Sequence, residues 1–226
     1  MPQKQLCKMT AHLFFQQKRR TKLLRNMGSL IIACHLRIFL LISIVSLSAC
    51  TGLIKTQKKT VEIAKNTWFT LQTPNSLGSS IRLVQQIESI YQKESHVFIS
   101  QVEVTPEKLT IVGMTPMGIK LFSLTWDGKE LQHETSLLTQ MKSIPFKLDY
   151  ILADFQMTYW PKLSAGNRFN YQDKSQPSHH RTIFNRNTKV VSIHYQKDSP
   201  WQGKIEFKHL ERGYQLNITT LQFENL

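Results

Sequence analysis

The chain has 226 residues, of which 41% are hydrophobic, 10% aromatic and 19% charged, a balance that excludes wholesale disorder and allows one or two domains. Its three cysteines, Cys7, Cys34 and Cys50, all fall in the first quarter, which excludes a disulfide framework for the remainder. The formal charge of +14 points to nucleic acid only until it is divided: eight of the 29 Lys and Arg lie in residues 1–49, which hold no Asp or Glu, leaving 21 basic against 15 acidic residues, and no nucleic-acid partner is expected.

Residues 1–49 read as a signal peptide. A basic flank precedes the apolar run Ile38-Phe39-Leu40-Leu41-Ile42-Ser43-Ile44-Val45-Ser46, which ends in Leu47-Ser48-Ala49-Cys50. A membrane-spanning helix needs about 20 apolar residues, and His35 and Arg37 interrupt the run well short of that. The Leu-Ser-Ala-Cys stretch resembles the bacterial lipobox. That resemblance implies cleavage before Cys50 and a membrane anchor of N-acyl diacylglyceryl cysteine at that residue; two or more acyl chains hold a protein stably where one holds it marginally. Thr51 stands where an Asp would resemble an inner-membrane retention signal. The expected address is therefore the outer membrane, lipid-anchored and facing the periplasm. Translation from Met1 or from Met27 are both open readings. After cleavage the lipidated cysteine is the sole cysteine left, so no free thiol meets an oxidising compartment.

Residues 50–67 carry Lys55, Lys58, Lys59 and Lys65 with no amphipathic stripe, and read as a lipidated flexible tether to a domain spanning 68–226. Within that domain period-two alternation dominates. It predicts strands over 68–72, 82–91, 96–104, 108–114, 119–126 and 130–136. Later strands are expected over 181–186, 190–196, 203–209 and 214–223. Asp127-Gly128 is the strongest hairpin signal, because Asp-Gly suits the positive-φ turns that match strand twist. Leu221 and Phe223 fall out of phase with Leu216 and Ile218, which predicts a bulge near Thr219-Thr220. Ile119, Leu121 and Phe122, Leu124, Trp126 load both faces of one strand, which then needs cover on both sides. One helix is expected over 146–159, with Leu148, Ile151, Leu152, Phe155 and Tyr159 forming a single apolar stripe. Ser143 suits its cap, Pro145 its first turn, and Trp160-Pro161 its end.

Catalytic spacing is absent: there is no nucleophile elbow, phosphate loop or dinucleotide fingerprint. His133-Glu134 begins like a zinc-binding helix, but Leu137 stands where the second His belongs. His179-His180 has no third ligand near in sequence, and Asp149 and Asp154, five residues apart, are expected on the helix's solvated side. The chain is read as a non-enzyme with no cofactor, no catalytic residue and no metal site. What remains is apolar. In Thr115-Pro116-Met117-Gly118 the Pro and Gly impose a tight turn, leaving Met117 as a protruding apolar tip that wants a partner.

Residues 109–128, with the turn Pro116, Met117, Gly118, resemble the central hairpin of LolB, the family of outer-membrane lipoprotein receptors, which carries an Asn-Pro-Leu-Gly turn there. Ile144-Pro145-Phe146-Lys147-Leu148-Asp149-Tyr150-Ile151-Leu152 resembles the LolB loop-plus-helix segment. Together with Leu152-Ala153-Asp154-Phe155-Gln156 and Tyr159-Trp160-Pro161, the hairpin is also similar to a family of bacterial lipoproteins often encoded beside aryl-polyene genes. The resemblance implies a mainly β, α+β fold: a single curved antiparallel sheet forming an unclosed LolB-like barrel under a helical lid. It implies an apolar cavity that binds or transfers acyl-chain cargo, whether lipid, lipoprotein or polyene. Phe122, Leu124, Trp126, Leu148, Ile151, Leu152 and Phe155 are the expected cavity-lining residues, and Met117 takes the place of the LolB loop leucine. The alternative is a structural or scaffold lipoprotein of an envelope complex; the residues name no protein partner.

Overall fold

Alternating apolar and polar positions build twelve strands among the residues that the computed structural model describes, which are 58–135, 147–164, 169–175 and 179–226. In chain order these are β1 (Thr60–Ala64), β2 (Thr67–Thr70), β3 (Ile81–Tyr91), β4 (Glu94–Val104), β5 (Leu109–Met114), β6 (Lys120–Trp126) and β7 (Leu131–Thr135), then helix α1 (Leu148–Tyr159). They continue with β8 (Phe169–Lys174), β9 (His180–Asn185), β10 (Thr188–Tyr195), β11 (Lys204–His209) and β12 (Tyr214–Asn225). Ten of them form one sheet in the order β7-β6-β5-β4-β3-β12-β11-β10-β9-β8, every neighbouring pair antiparallel. β7 and β8 end the sheet at opposite edges and do not pair with each other, so it is not closed. β1 and β2 form a separate hairpin.

One face of the large sheet is apolar. β3 turns Ile81, Leu83 and Ile87 to it, β5 Leu109 and Ile111, β11 Ile205 and Phe207, and β12 Leu216 and Ile218. The other face is wet and held by cross-strand charges, with Arg82 reaching Glu103 at 3.1 Å and Glu224 at 3.3 Å. α1 packs into the core, and β1 packs against α1. Every residue from Leu152 to Trp160 is consequently buried.

Local chemistry corrects the sequence reading at several points. Thr60–Ala64, placed in the tether, is a strand whose Val61 and Ile63 are core. β8 was not expected at all; its Phe169 packs on Phe69 with ring centres 5.5 Å apart. β6 does not need cover on both faces. A register shift opposite Gly113 and Met114 inserts Leu121 as an extra residue, so Leu121 and Phe122 both turn inward while Ile119 is exposed. The bulge in β12 falls on Leu221, one residue past Thr220, and leaves Leu221 on the surface. The helix begins at Leu148 with Lys147 as its N-cap and ends at Trp160, as Trp160-Pro161 implies. Ser143, Pro145 and Phe146 lie outside the described residues, as do residues 1–57 with Cys50. No described helix is long and apolar enough to cross a membrane.

Candidate functional site

α1 is fixed in the sheet's apolar face by polar side chains from several directions. Gln156 makes a paired contact with the Gln72 backbone, accepting from its N–H at 2.8 Å and donating to its carbonyl at 2.9 Å. Trp126 Nε1 donates to the same carbonyl at 2.7 Å. At the helix C-terminus Arg181 donates to the carbonyls of Met157 and Trp160 at 2.7 and 2.8 Å, placing a cation where the helix dipole is negative. Asp173 holds that guanidinium at 2.7 and 3.0 Å, and Tyr195 O–H donates to the Thr158 carbonyl at 2.7 Å.

Beside this anchored helix the packing is incomplete. A cavity of about 100 Å³ lies between α1 and strands β3, β4, β5, β6 and β12. Its apolar wall comes from Ile87, Phe98, Ile111, Leu121, Phe122, Leu216 and Ile218 on the sheet, and from Ile151 and Phe155 on the helix. Val97 of β4 and Thr115, at the base of the β5–β6 turn, line it as well. Beyond Thr115 stands Met117, 91% exposed, with Ile119 exposed as well. Gly118 has φ +83°, so the turn that projects Met117 depends on a residue without Cβ strain. Thr115 closes it, its carbonyl accepting from Gly118 N–H at 2.9 Å and its Oγ1 from Ile119 N–H at 3.1 Å. Pro116 is exposed in the same turn.

Three of the expected lining residues, Phe122, Ile151 and Phe155, do line the cavity. Leu124, Trp126, Leu148 and Leu152 do not: they are buried in the continuous core. Phe122 owes its place to Gly113 directly across the ladder; a Cβ on Gly113 would lie 2.1 Å from its ring. The polar residues at the site, Gln85, His96, Ser100, Thr115, Asp154, Thr158 and Tyr159, were not anticipated as cavity wall. Gln85 shares the inward phase of Leu83 and Ile87, which was the available signal. Asp154 was expected in solvent and is 5% exposed: α1 has no solvated face along this stretch.

Asp154 heads a buried polar cluster. Tyr214 O–H donates to its Oδ2, while its Oδ1 has no hydrogen-bond partner. Burial pushes the carboxyl up to about 7, against the Tyr214 hydrogen bond and the Arg212 charge, which pull it down. Arg212 lies over the Tyr150 ring, 3.4 Å from its centre, and donates to the Glu62 carbonyl. His209, 1% exposed, is pushed down to about 4 by burial and by Arg212, with its hydrogen bond to the Ile63 carbonyl working the other way. At 2.8 Å from that carbonyl the neutral ring acts as an Nε2–H donor.

Among the described residues no group of three or more His, Cys, Asp or Glu could hold a metal. His179 stacks on Tyr195 with centres 4.5 Å apart. His133 and Glu134 lie on β7, an edge strand, with Glu134 paired to Lys120 at 2.6 Å.

A family model described as "Protein of unknown function (DUF3261)" matches residues 82–222, which take in α1 and the whole main sheet but for the first residue of β3 and the last three of β12. No curated protein matches the chain. Among solved structures it is similar to a LolA superfamily protein from Nitrosomonas europaea, at 8% identity and TM-score 0.38, over 68% of this chain and 88% of that one. A domain from Vibrio parahaemolyticus, assigned as an outer membrane lipoprotein-sorting protein, is similar at 8% identity and TM-score 0.34, over 65% and 85% of the two chains. Likenesses this distant carry no inference about function.

Proposed function

The chain belongs to the DUF3261 family, and we propose that it is an outer-membrane lipoprotein, anchored through Cys50 and facing the periplasm, that holds the acyl end of a lipid, lipoprotein or polyene cargo and passes it on. One observation carries the reading: a mainly apolar cavity under α1 extends to Thr115, at the base of a hairpin whose tip residue, Met117, is 91% exposed. Burying one Met side chain in a membrane is worth about 1.5–3 kcal/mol, enough to bias docking of that tip without anchoring the protein alone. The LolB resemblance of residues 109–128 supports the same division of labour, tip for delivery and cavity for holding. In this reading α1 is the lid, and the role is binding and transfer rather than catalysis.

The test is transfer of a fluorescent acyl lipid from the protein to vesicles of mixed phosphatidylethanolamine and phosphatidylglycerol. Met117→Glu is expected to keep the melting temperature within a few degrees, because exposed substitutions usually change stability by less than about 0.5 kcal/mol. The same substitution is expected to slow transfer several-fold. Transfer at the wild-type rate contradicts the reading.

A second reading, the scaffold lipoprotein, is favoured by size. Pockets for drug-sized ligands commonly hold about 300–1,000 Å³, and this cavity holds about 100 Å³. Under the scaffold reading no acyl probe enters the protein at all.

A further inference from the structure

The cavity wall is mainly apolar, with Gln85 from β3, His96 and Ser100 from β4, and Asp154, Thr158 and Tyr159 from α1 among its polar members, and Asp154 brings a carboxyl with one oxygen unused. Asp154 is on the cavity wall, is 5% exposed, and its Oδ1 is buried without a hydrogen-bond partner. Native folds seldom leave such an atom bare, because its desolvation is uncompensated. The groups around it have contacts of their own, although Arg212 Nη1 and His96 Nε2 are likewise buried without a hydrogen-bond partner. Tyr214 from β12 donates to Oδ2, Arg212 from the β11–β12 turn acts through space while stacked on Tyr150, and His209 from β11 is turned to the Ile63 carbonyl. His96 of β4 also lines the cavity, with Glu94 3.5 Å from its Nε2. None of them supplies a partner for Oδ1.

Since Oδ2 already accepts from Tyr214, the proton of a neutral Asp154 carboxyl resides on Oδ1, and burial keeps that carboxyl neutral up to about pH 7. A buried donor without a partner in a mainly apolar wall favours ligands that carry an acceptor. We propose that Asp154 Oδ1 donates a hydrogen bond to the carbonyl oxygen at the head of an acyl chain in this cavity, so that the site takes fatty acyl acids or esters in preference to plain hydrocarbons. The proposal rests on the acyl-binding reading above and names the group that the site recognises.

The full chain is titrated with three fluorescent probes: methyl parinarate, which has an ester carbonyl and does not ionise, parinaric acid, and diphenylhexatriene, which has no polar atom. Wild type, Asp154→Leu and Asp154→Asn are compared at pH 6 and pH 8, with melting curves for each. Wild type at pH 6 is expected to bind the methyl ester roughly tenfold more tightly than Asp154→Leu does. Diphenylhexatriene is expected to bind both alike. Raising the pH to 8 ionises Asp154, removes the donor and weakens ester binding to wild type; in Asp154→Asn the amide donates at both pH values and binding holds. Preference for the ester over the acid at pH 6, where Asp154 keeps its proton, assigns esterified lipid as the source, and the reverse preference assigns free fatty acid. Equal ester binding by wild type and Asp154→Leu overturns the proposal and leaves the carrier reading intact, whereas no binding of any probe removes both. Should Asp154→Leu fail to fold, the comparison of wild type with Asp154→Asn decides, and parallel pH dependences overturn the proposal.

Discussion

At the scale of residues, two buried titratable groups set opposite pH dependences. Asp154 is raised to about 7, so between the ordinary carboxylate range and pH 7 the folded state binds more protons than the unfolded, and stability from this group falls as pH rises. His209 is lowered to about 4, so between about pH 6.5 and 4 the unfolded state binds more protons, and stability from this group falls as pH falls. The two offset each other across the window they share. Asp154→Asn therefore exposes the histidine slope, and chemical denaturation of the variant is expected to show stability rising by roughly 1–3 kcal/mol from pH 4 to 6.5 relative to wild type. His209→Gln is expected to tilt the opposite way; unchanged slopes in both would show that neither shift exists. Neither group was legible in the sequence. Asp154 looked like half of a solvated helix face, because periodicity reports where apolar residues recur and says nothing of a helix enclosed from both sides.

Gly113 shows the same limit. Nothing in its local sequence marks it, yet the Phe122 ring occupies the space its side chain would fill. Gly113→Ala is expected to cost about 1–3 kcal/mol by overpacking and to push Phe122 into the cavity. Thermal melting and apolar-probe affinity should fall together. Wild-type values for both would contradict the packing.

At the scale of elements, the ten strands expected from the sequence were readable to within two residues at either end. β1 and β8 were missed for a physical reason: β1 is five residues long and sits in a lysine-rich stretch, β8 is mostly polar, and each becomes a strand through its partners. His209 bonds to the Ile63 carbonyl, and the Asn185 side chain donates to the Lys65 carbonyl at 3.2 Å beside β1, while β8 pairs along its length with β9. The β3–β4 turn was also unmarked. Gln92 and Lys93 have φ of 49° and 72°, a two-residue turn built without Gly or Asn. Each such position costs a side-chain-bearing residue on the order of 1 kcal/mol. Gln92→Asn with Lys93→Gly is accordingly expected to raise the melting temperature by several degrees, measured by calorimetry; a fall would mean that the turn is held by contacts of those two side chains.

At the scale of the whole molecule, the sheet, the bulges and α1 together leave one apolar gap. Register explains its place: the shift at Leu121 brings two successive large residues inward on β6, and Phe122 then lines the gap together with Ile151 and Phe155 of the helix. Residue patterning located the helix and the hairpin tip but scattered the wall, naming Leu124, Trp126, Leu148 and Leu152 that pack solidly instead. Which apolar residues line a gap depends on what fails to meet across the layers, and a one-dimensional pattern holds no record of that. The central claim is that an acyl chain occupies this gap. Photolabelling of the full chain with a lipid carrying a diazirine on its acyl chain, followed by peptide mapping, tests it most directly. Labels on Phe98, Phe122, Ile151 and Phe155 are the predicted result. Labels confined to the exposed Met117, Ile119 and Trp68 would place the lipid on the surface and contradict a carrier.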